Sequence, residues 1–268
     1  MKRNFYIIYL SVFTLFANCS KNSEKPTDNN LQLDESFVPA SIKANYNLVW
    51  QDEFDGATLN LSKWNYRADG QQRTIGWNNR SNVSLNNKGQ LEIKVTKDVS
   101  SGKYYTGMIS TDGIFMPKYG YFECRAKMPG TIGPHSAFWL QSNSVGKTLN
   151  PEVDGTEIDI FEYHRKAPTT VHLNLHWNGY GVNHQNEGRQ INHPSIGSGY
   201  HVFGLEWTDT EYVFYVDGVE KWRTGTALSK RAEYIILSTE VTGFGGDPAL
   251  GTYPDITSFD YVRVYQKK

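Results

Sequence analysis

The sequence predicts an all-β fold, an antiparallel β-sandwich of about 220 residues. From Leu48 onward apolar residues alternate with polar ones instead of recurring at helical spacing. Asp217-Gly218 lies between Tyr212-Val213-Phe214-Tyr215-Val216 and Val219-Glu220-Lys221-Trp222, a hairpin signal because the tight turn needs positive φ. No stretch offers an amphipathic helix of three turns, and no internal repeat is present. Strands are expected over 119–128, 171–177, 202–207, 212–216 and 219–222.

The chain has 268 residues, enough for a sizeable core. Lys+Arg 27 against Asp+Glu 28 leaves a net charge of -1, which argues against a nucleic-acid partner and against a polybasic membrane-surface protein. Hydrophobic content of 38% with 14% aromatics is too rich for a disordered chain. The 7 Trp and 17 Tyr are suited to stacking on sugar rings as well as to filling a core. Two Cys rule out a disulfide scaffold and a Cys-only zinc site.

The N-terminus reads as an export signal. Lys2 and Arg3 precede an apolar run from Phe5 to Phe16 that is too short to span a membrane. Cys19 follows Ala17-Asn18, where a bacterial lipoprotein is cleaved and acylated; Phe16 and Asn18 make the resemblance to a lipobox a loose one. Lipidation of Cys19 is the favoured expectation, with ordinary secretion or a Cys19–Cys124 disulfide as alternatives; an acylated Cys19 leaves Cys124 a buried, inert thiol. Every version takes the protein out of the cytoplasm, to a bacterial membrane on its periplasmic or outer side or to the medium. Residues 1–19 are thus a signal segment, 20–44 a polar tether without apolar period, and 45–268 the folded domain.

Parity shows what the strands do with their faces. In Val171-His172-Leu173-Asn174-Leu175-His176-Trp177 the odd positions are apolar, so His172, Asn174 and His176 share the other face. On a strand His172 and His176 stand about 13 Å apart, too far to share a zinc ion. A polar face edged by aromatics suits a carbohydrate cleft.

The sharpest signal is Glu157-Ile158-Asp159-Ile160-Phe161-Glu162. Glu157 and Asp159 share a face, but Glu162 has the wrong parity and points into the core of a regular strand. One extra residue, a β-bulge near Ile160-Phe161, returns it to the acidic face. Three carboxylates crowded there raise at least one pKa, which costs stability and suggests function. A solvated acidic face or a calcium site uses the same groups. Paired carboxyls brought to roughly 5–5.5 Å are what a retaining glycosidase needs: one attacks the anomeric carbon, and the other protonates the departing oxygen and then activates water.

From Leu48 to Gln266 the sequence resembles glycoside hydrolase family 16. The stretches that carry the resemblance are Glu157–Glu162, Leu48-Val49-Trp50-Gln51-Asp52-Glu53-Phe54-Asp55-Gly56, residues 119–129, Ala137-Phe138-Trp139-Leu140, residues 201–207 and residues 259–265. The resemblance implies a β jelly roll whose concave sheet is the substrate groove. It implies Glu157 as nucleophile, Asp159 as assisting acid and Glu162 as general acid/base. Trp139 then lines the sugar-binding floor and His176 lies near the acid/base. No cofactor is required; a structural calcium ion is possible, with Glu53, Gly89 and Asp260 as its residues.

Departures from the family pattern bear on the sugar. Laminarin-cutting members usually carry Trp-Pro before Ala-Phe-Trp, where this chain has His135-Ser136. Gly76-Trp77-Asn78-Asn79-Arg80 keeps a Gly-Asn-Asn-Glu stretch only in part, and Leu237-Ser238-Thr239-Glu240-Val241 puts a carboxylate where a glucanase more often has Asn-Leu-Ala. A groove-facing Glu240 accepts hydrogen bonds from sugar hydroxyls, for instance an axial one in galactose. The expectation is a monomeric, endo-acting, retaining β-glycanase acting on a polysaccharide, first a β-1,3- or mixed-linkage β-glucan. An endo-β-galactanase of the agarase, carrageenase or mucin-glycan type, a transglycosylase and a non-catalytic carbohydrate-binding jelly roll are the alternatives.

Overall fold

The alternating patterns become two packed antiparallel layers in the structure, a computed structural model that describes residues 37–268. In the outer layer the long strand Asp255–Lys267 is central. It pairs with Tyr46–Asp52 and Gln90–Lys97 along one edge and with Gly120–Lys127 along the other. His201–Trp207, Tyr212–Val216 and Val219–Thr224 follow in turn. The second layer runs Asn65–Tyr66, Tyr104–Ser110, Tyr234–Val241, Pro134–Gln141, Glu157–His164, Thr170–Trp177 and Gln185–Asn192. The result is the jelly-roll sandwich expected, with the second layer forming the curved cleft sheet.

The core lies between the layers because each strand gives it alternate residues. Val171, Leu173 and Leu175 are fully buried there, as are Phe138, Leu140, Ile158, Ile235 and Leu237 from the same sheet. Phe122, Phe203, Leu205 and Val264 meet them from the outer layer, with the Phe161 and Phe203 rings 4.1 Å apart. Each such side chain, fully buried, stabilises the fold by about 1.5–3 kcal/mol. Cys124 is free and fully buried in this core, and burial holds its thiol well above the usual range, so it is inert.

The predicted strands are found within a residue or two of their expected ends, and Asp217 and Gly218 take φ of 50° and 73° in the hairpin turn. Among the described residues the longest helix is Ala40–Asn45, and no helix is long and apolar enough to cross a membrane. The packed domain starts earlier than residue 45. Val38 and Ile42 are buried against Tyr46, Tyr121 and Tyr215, so the last stretch assigned to the tether belongs to the fold. Two apolar residues in a polar context show no period, which hid them. The signal segment, Cys19 and the rest of the tether lie outside the described residues.

Candidate active site

The acidic strand carries the irregularity that its parity requires. Glu157 is opposite His176, Asp159 opposite Asn174 and Glu162 opposite His172, with the register broken between Asp159 and Glu162. On the other edge Asp159 faces Trp139 and Glu162 faces Ala137, with a break between Asp159 and Phe161. Ile160 and Phe161 both enter the core at full burial. This bulge turns Glu162 outward, so the three carboxylates stand on the face that carries His172, Asn174 and His176.

Together they floor a cleft of about 640 Å³. Gln141 Nε2 donates to Glu157 Oε2 at 2.7 Å, and the Tyr180 hydroxyl donates to the same oxygen. Burial pushes Glu157 up to about 7, reinforced by Glu162 and Glu240 and opposed by those two hydrogen bonds. Asp159 is held well above the usual carboxylate range by burial, then by the charges of Glu162 and Glu157. An oxygen from each of Glu157 and Asp159 and a ring nitrogen of His176 lie within 4.8 Å of one another. His176 Nε2 is 3.5 Å from Asp159 Oδ2, and its Nδ1 is 2.9 Å from His184 Nε2.

Glu162 has different company. His135 Nε2 lies 2.8 Å from its Oε1, and Asn174 Nδ2 donates to its Oε2. Burial would raise Glu162, but the contact with His135 and the Asn174 hydrogen bond hold it below its ordinary value. The two glutamates are therefore electrostatically distinct, Glu157 taking a proton more readily than Glu162.

The family profile described as Beta-porphyranase A-D, GH16 domain, matches residues 46–267. The chain belongs to glycoside hydrolase family 16. Among relatives, it is 30% identical to Glucan endo-1,3-beta-glucosidase A1 of Niallia circulans over 84% of this chain and 38% of that protein. It is 29% identical to the Beta-glucanase of Rhodothermus marinus over 82% of this chain and 85% of that one. The laminarinase catalytic domain of Thermotoga maritima MSB8 superposes with a TM-score of 0.72 at 26% identity, covering 84% of this chain and 99% of that domain. The chain thus spans well under half of the first of these and nearly all of a solved catalytic domain.

Against the family pattern, His135, Trp139, Asn174, His176 and Glu240 all line the cleft. Trp139 does so with little surface free: it is 5% exposed, donates to Ser238 Oγ at 3.1 Å and lies 5.5 Å beneath the Arg67 guanidinium. Glu240 is paired with Arg73 at 3.1 Å. His172 is buried behind the Phe244 ring, 5.0 Å away, outside the lining. Trp77 is not brought to the cleft; its ring packs under Lys103 Nζ at 4.6 Å, because the short Gly76–Asn78 strand turns it away from the acidic sheet face.

The three calcium candidates sit on the outer layer. The Glu53 carboxylate is held by Arg263 at 2.8 and 2.9 Å, and Asp260 Oδ2 by Arg125 at 2.6 Å. Gly89 packs beside the Glu53 main-chain oxygen, and Asp260 Oδ1 accepts from Gln90 Nε2 at 3.2 Å. Main-chain oxygens and Asp260 Oδ1 are the groups left to hold a cation there.

Arg67, Arg73, Gln141, Tyr180 and Phe244 line the cleft without having been expected. Tyr180 is flanked by Gly179 and Gly181 after Asn178 at φ 63°, a turn signal that could have marked an aromatic on a loop tip. Arg67 and Gln141 give no such signal, since their role depends on contacts across strands.

Proposed function

We propose that the protein is a retaining, endo-acting β-glycanase. The bulge that places Glu157, Asp159 and Glu162 on one cleft face is the observation that carries this reading. Glu157 is the nucleophile: Gln141 and Tyr180 orient one oxygen, and it bonds the anomeric carbon as the glycosidic bond breaks. Glu162 gives its proton to the departing oxygen and later takes one from the attacking water. Asp159, held well above the usual carboxylate range by burial, sits beside Glu157 and lends it a proton or hydrogen bond as the covalent bond forms and breaks.

The relatives' names support a β-1,3- or mixed-linkage β-glucan as substrate. A specific observation favours a second reading, an anionic galactan of the porphyran kind. The family profile is described by that activity, and Arg67 presents a guanidinium bonded to the neutral Tyr234 hydroxyl and Gln141 Oε1, both at 2.7 Å. A sulfate ester is the ligand such a cation would take. Reducing-sugar release from laminarin, lichenan, agar, carrageenan and porphyran separates the two. Activity on either glucan supports the first; activity on porphyran alone replaces it with the second. Glu157→Gln and Glu162→Gln are each expected to lower kcat on the cleaved polymer by about 10²–10⁴-fold. Full activity in both variants would leave a carbohydrate-binding protein rather than an enzyme of this mechanism.

A further inference from the structure

His135 stands where the strand register puts it among charged neighbours. It faces Glu240 on the Tyr234–Val241 strand and His164 on the Glu157–His164 strand, and its Nε2 lies 2.8 Å from Glu162 Oε1. Its side chain is 12% exposed, its ring edge meets Phe244 at 5.0 Å, and neither ring nitrogen has a well-angled hydrogen bond among the described residues, so Nε2 meets Glu162 Oε1 as a close ion-pair contact. A buried imidazole within ion-pair distance of one oxygen of a carboxylate, with the other oxygen held by Asn174, is a built arrangement rather than a chance surface contact.

We infer that His135 is the proton partner of Glu162, a positioning residue that acts through Glu162 by holding in common with it the proton delivered to the leaving group. The inference rests on Glu162 being the acid/base. It answers a difficulty of that reading: Glu162 lies below its ordinary pKa, where a lone carboxyl is a poor acid at neutral pH. His135 is correspondingly held above its ordinary value, because the Glu162 contact and charge, with Glu240 and Glu157 behind them, outweigh the burial that opposes a charged ring. His164 and His172 are each lowered chiefly by burial, the opposite direction to His135, so they compete less well for the proton. Arg73, the nearby fixed cation, is spent on Glu240.

The chemistry balances over two half-reactions. In the first, the bond from the anomeric carbon to the departing oxygen breaks, Glu157 bonds that carbon, and the shared proton leaves through Glu162 on the departing oxygen. His135 is then neutral and Glu162 ionised. In the second, water bonds the anomeric carbon, the bond to Glu157 breaks, and the proton lost by water passes through Glu162 back to the pair.

Nitrogen-15 histidine NMR of the whole protein tests this without a substrate, the His135 signal being the one missing in His135→Gln. The wild-type signal is expected to remain that of an imidazolium at pH 7, and Glu162→Gln to lower its midpoint by roughly one to three pH units. An unchanged midpoint in Glu162→Gln overturns the inference, and this measurement needs no folded His135 variant beyond the assignment, for which His135→Asn serves equally. On the polymer cleaved in the panel, His135→Gln is expected to lower kcat about 10-fold and to move the alkaline limb of the rate profile to lower pH. A variant profile that superposes on the wild type makes His135 a packing residue. Full activity of Glu162→Gln is a different failure, that of the acid/base assignment.

Discussion

Glu157 and Asp159 are two carboxyls buried side by side, with no Lys or Arg paired to either among the described residues. The protein accommodates them by leaving them protonated more readily than free carboxyls. For Glu157 the native state holds a proton up to about 7 that the unfolded chain releases near 4.5. The group therefore contributes stability at acid pH that is lost as the pH rises through that window. Glu157→Gln removes the loss while keeping both hydrogen-bond positions filled. The variant is expected to melt a few degrees above the wild type at pH 8, where roughly 1 kcal/mol corresponds to 2–4 °C, and close to it at pH 5. Calorimetry at the two pH values checks this; a variant less stable at pH 8 would mean that the carboxylate is a net stabiliser of the cleft.

The strand Thr170–Trp177 supplies the polar row that faces the carboxylates, and its neighbour Gln185–Asn192 keeps that row in place. Gly188 lies opposite Asn174, and a Cβ there would come within 2.0 Å of Asn174 Oδ1 and 2.9 Å of the Leu173 main-chain oxygen. Gly188→Ala is expected to push the Asn174 amide off Glu162 and lower kcat by about tenfold, the scale of one charge-assisted hydrogen bond, with KM little changed. Steady-state kinetics reads it; unaltered kcat would show that Asn174 is free to turn elsewhere. The row itself was legible in the sequence, because alternation at period two is a direct consequence of strand geometry. So was the bulge, since Glu162 on a regular strand would bury a charge beside Ile158 and Ile160. Tyr180, Phe244 and Arg67 were not, because loop backbones carry no period and Arg67 reaches the cleft only by crossing to Gln141 and Tyr234. Trp77 shows the converse, an aromatic in a family-like stretch whose local turn sends it to Lys103.

Across the whole molecule the first and last strands of the domain close on each other, Tyr46 opposite Lys267 and Asp52 opposite Val262. The first and last strands among the described residues thus sit side by side in the outer layer. Residues 20–37 separate Cys19 from Val38, the first buried side chain among the described residues. Eighteen residues reach at most about 60–65 Å when fully drawn out. An acylated Cys19 thus confines the cleft to a shell near the lipid surface, where a polymeric substrate arrives at the membrane rather than in bulk solution. The full chain produced in a bacterial host is expected to incorporate labelled fatty acid and to sediment with membranes. Cys19→Ala is expected to lose both while retaining the specific activity of the wild type, since the residues that line the cleft fall between Arg67 and Phe244. Label persisting in that variant would remove Cys19 as the anchor, and a wild-type chain found wholly in the medium would assign residues 1–19 to ordinary secretion.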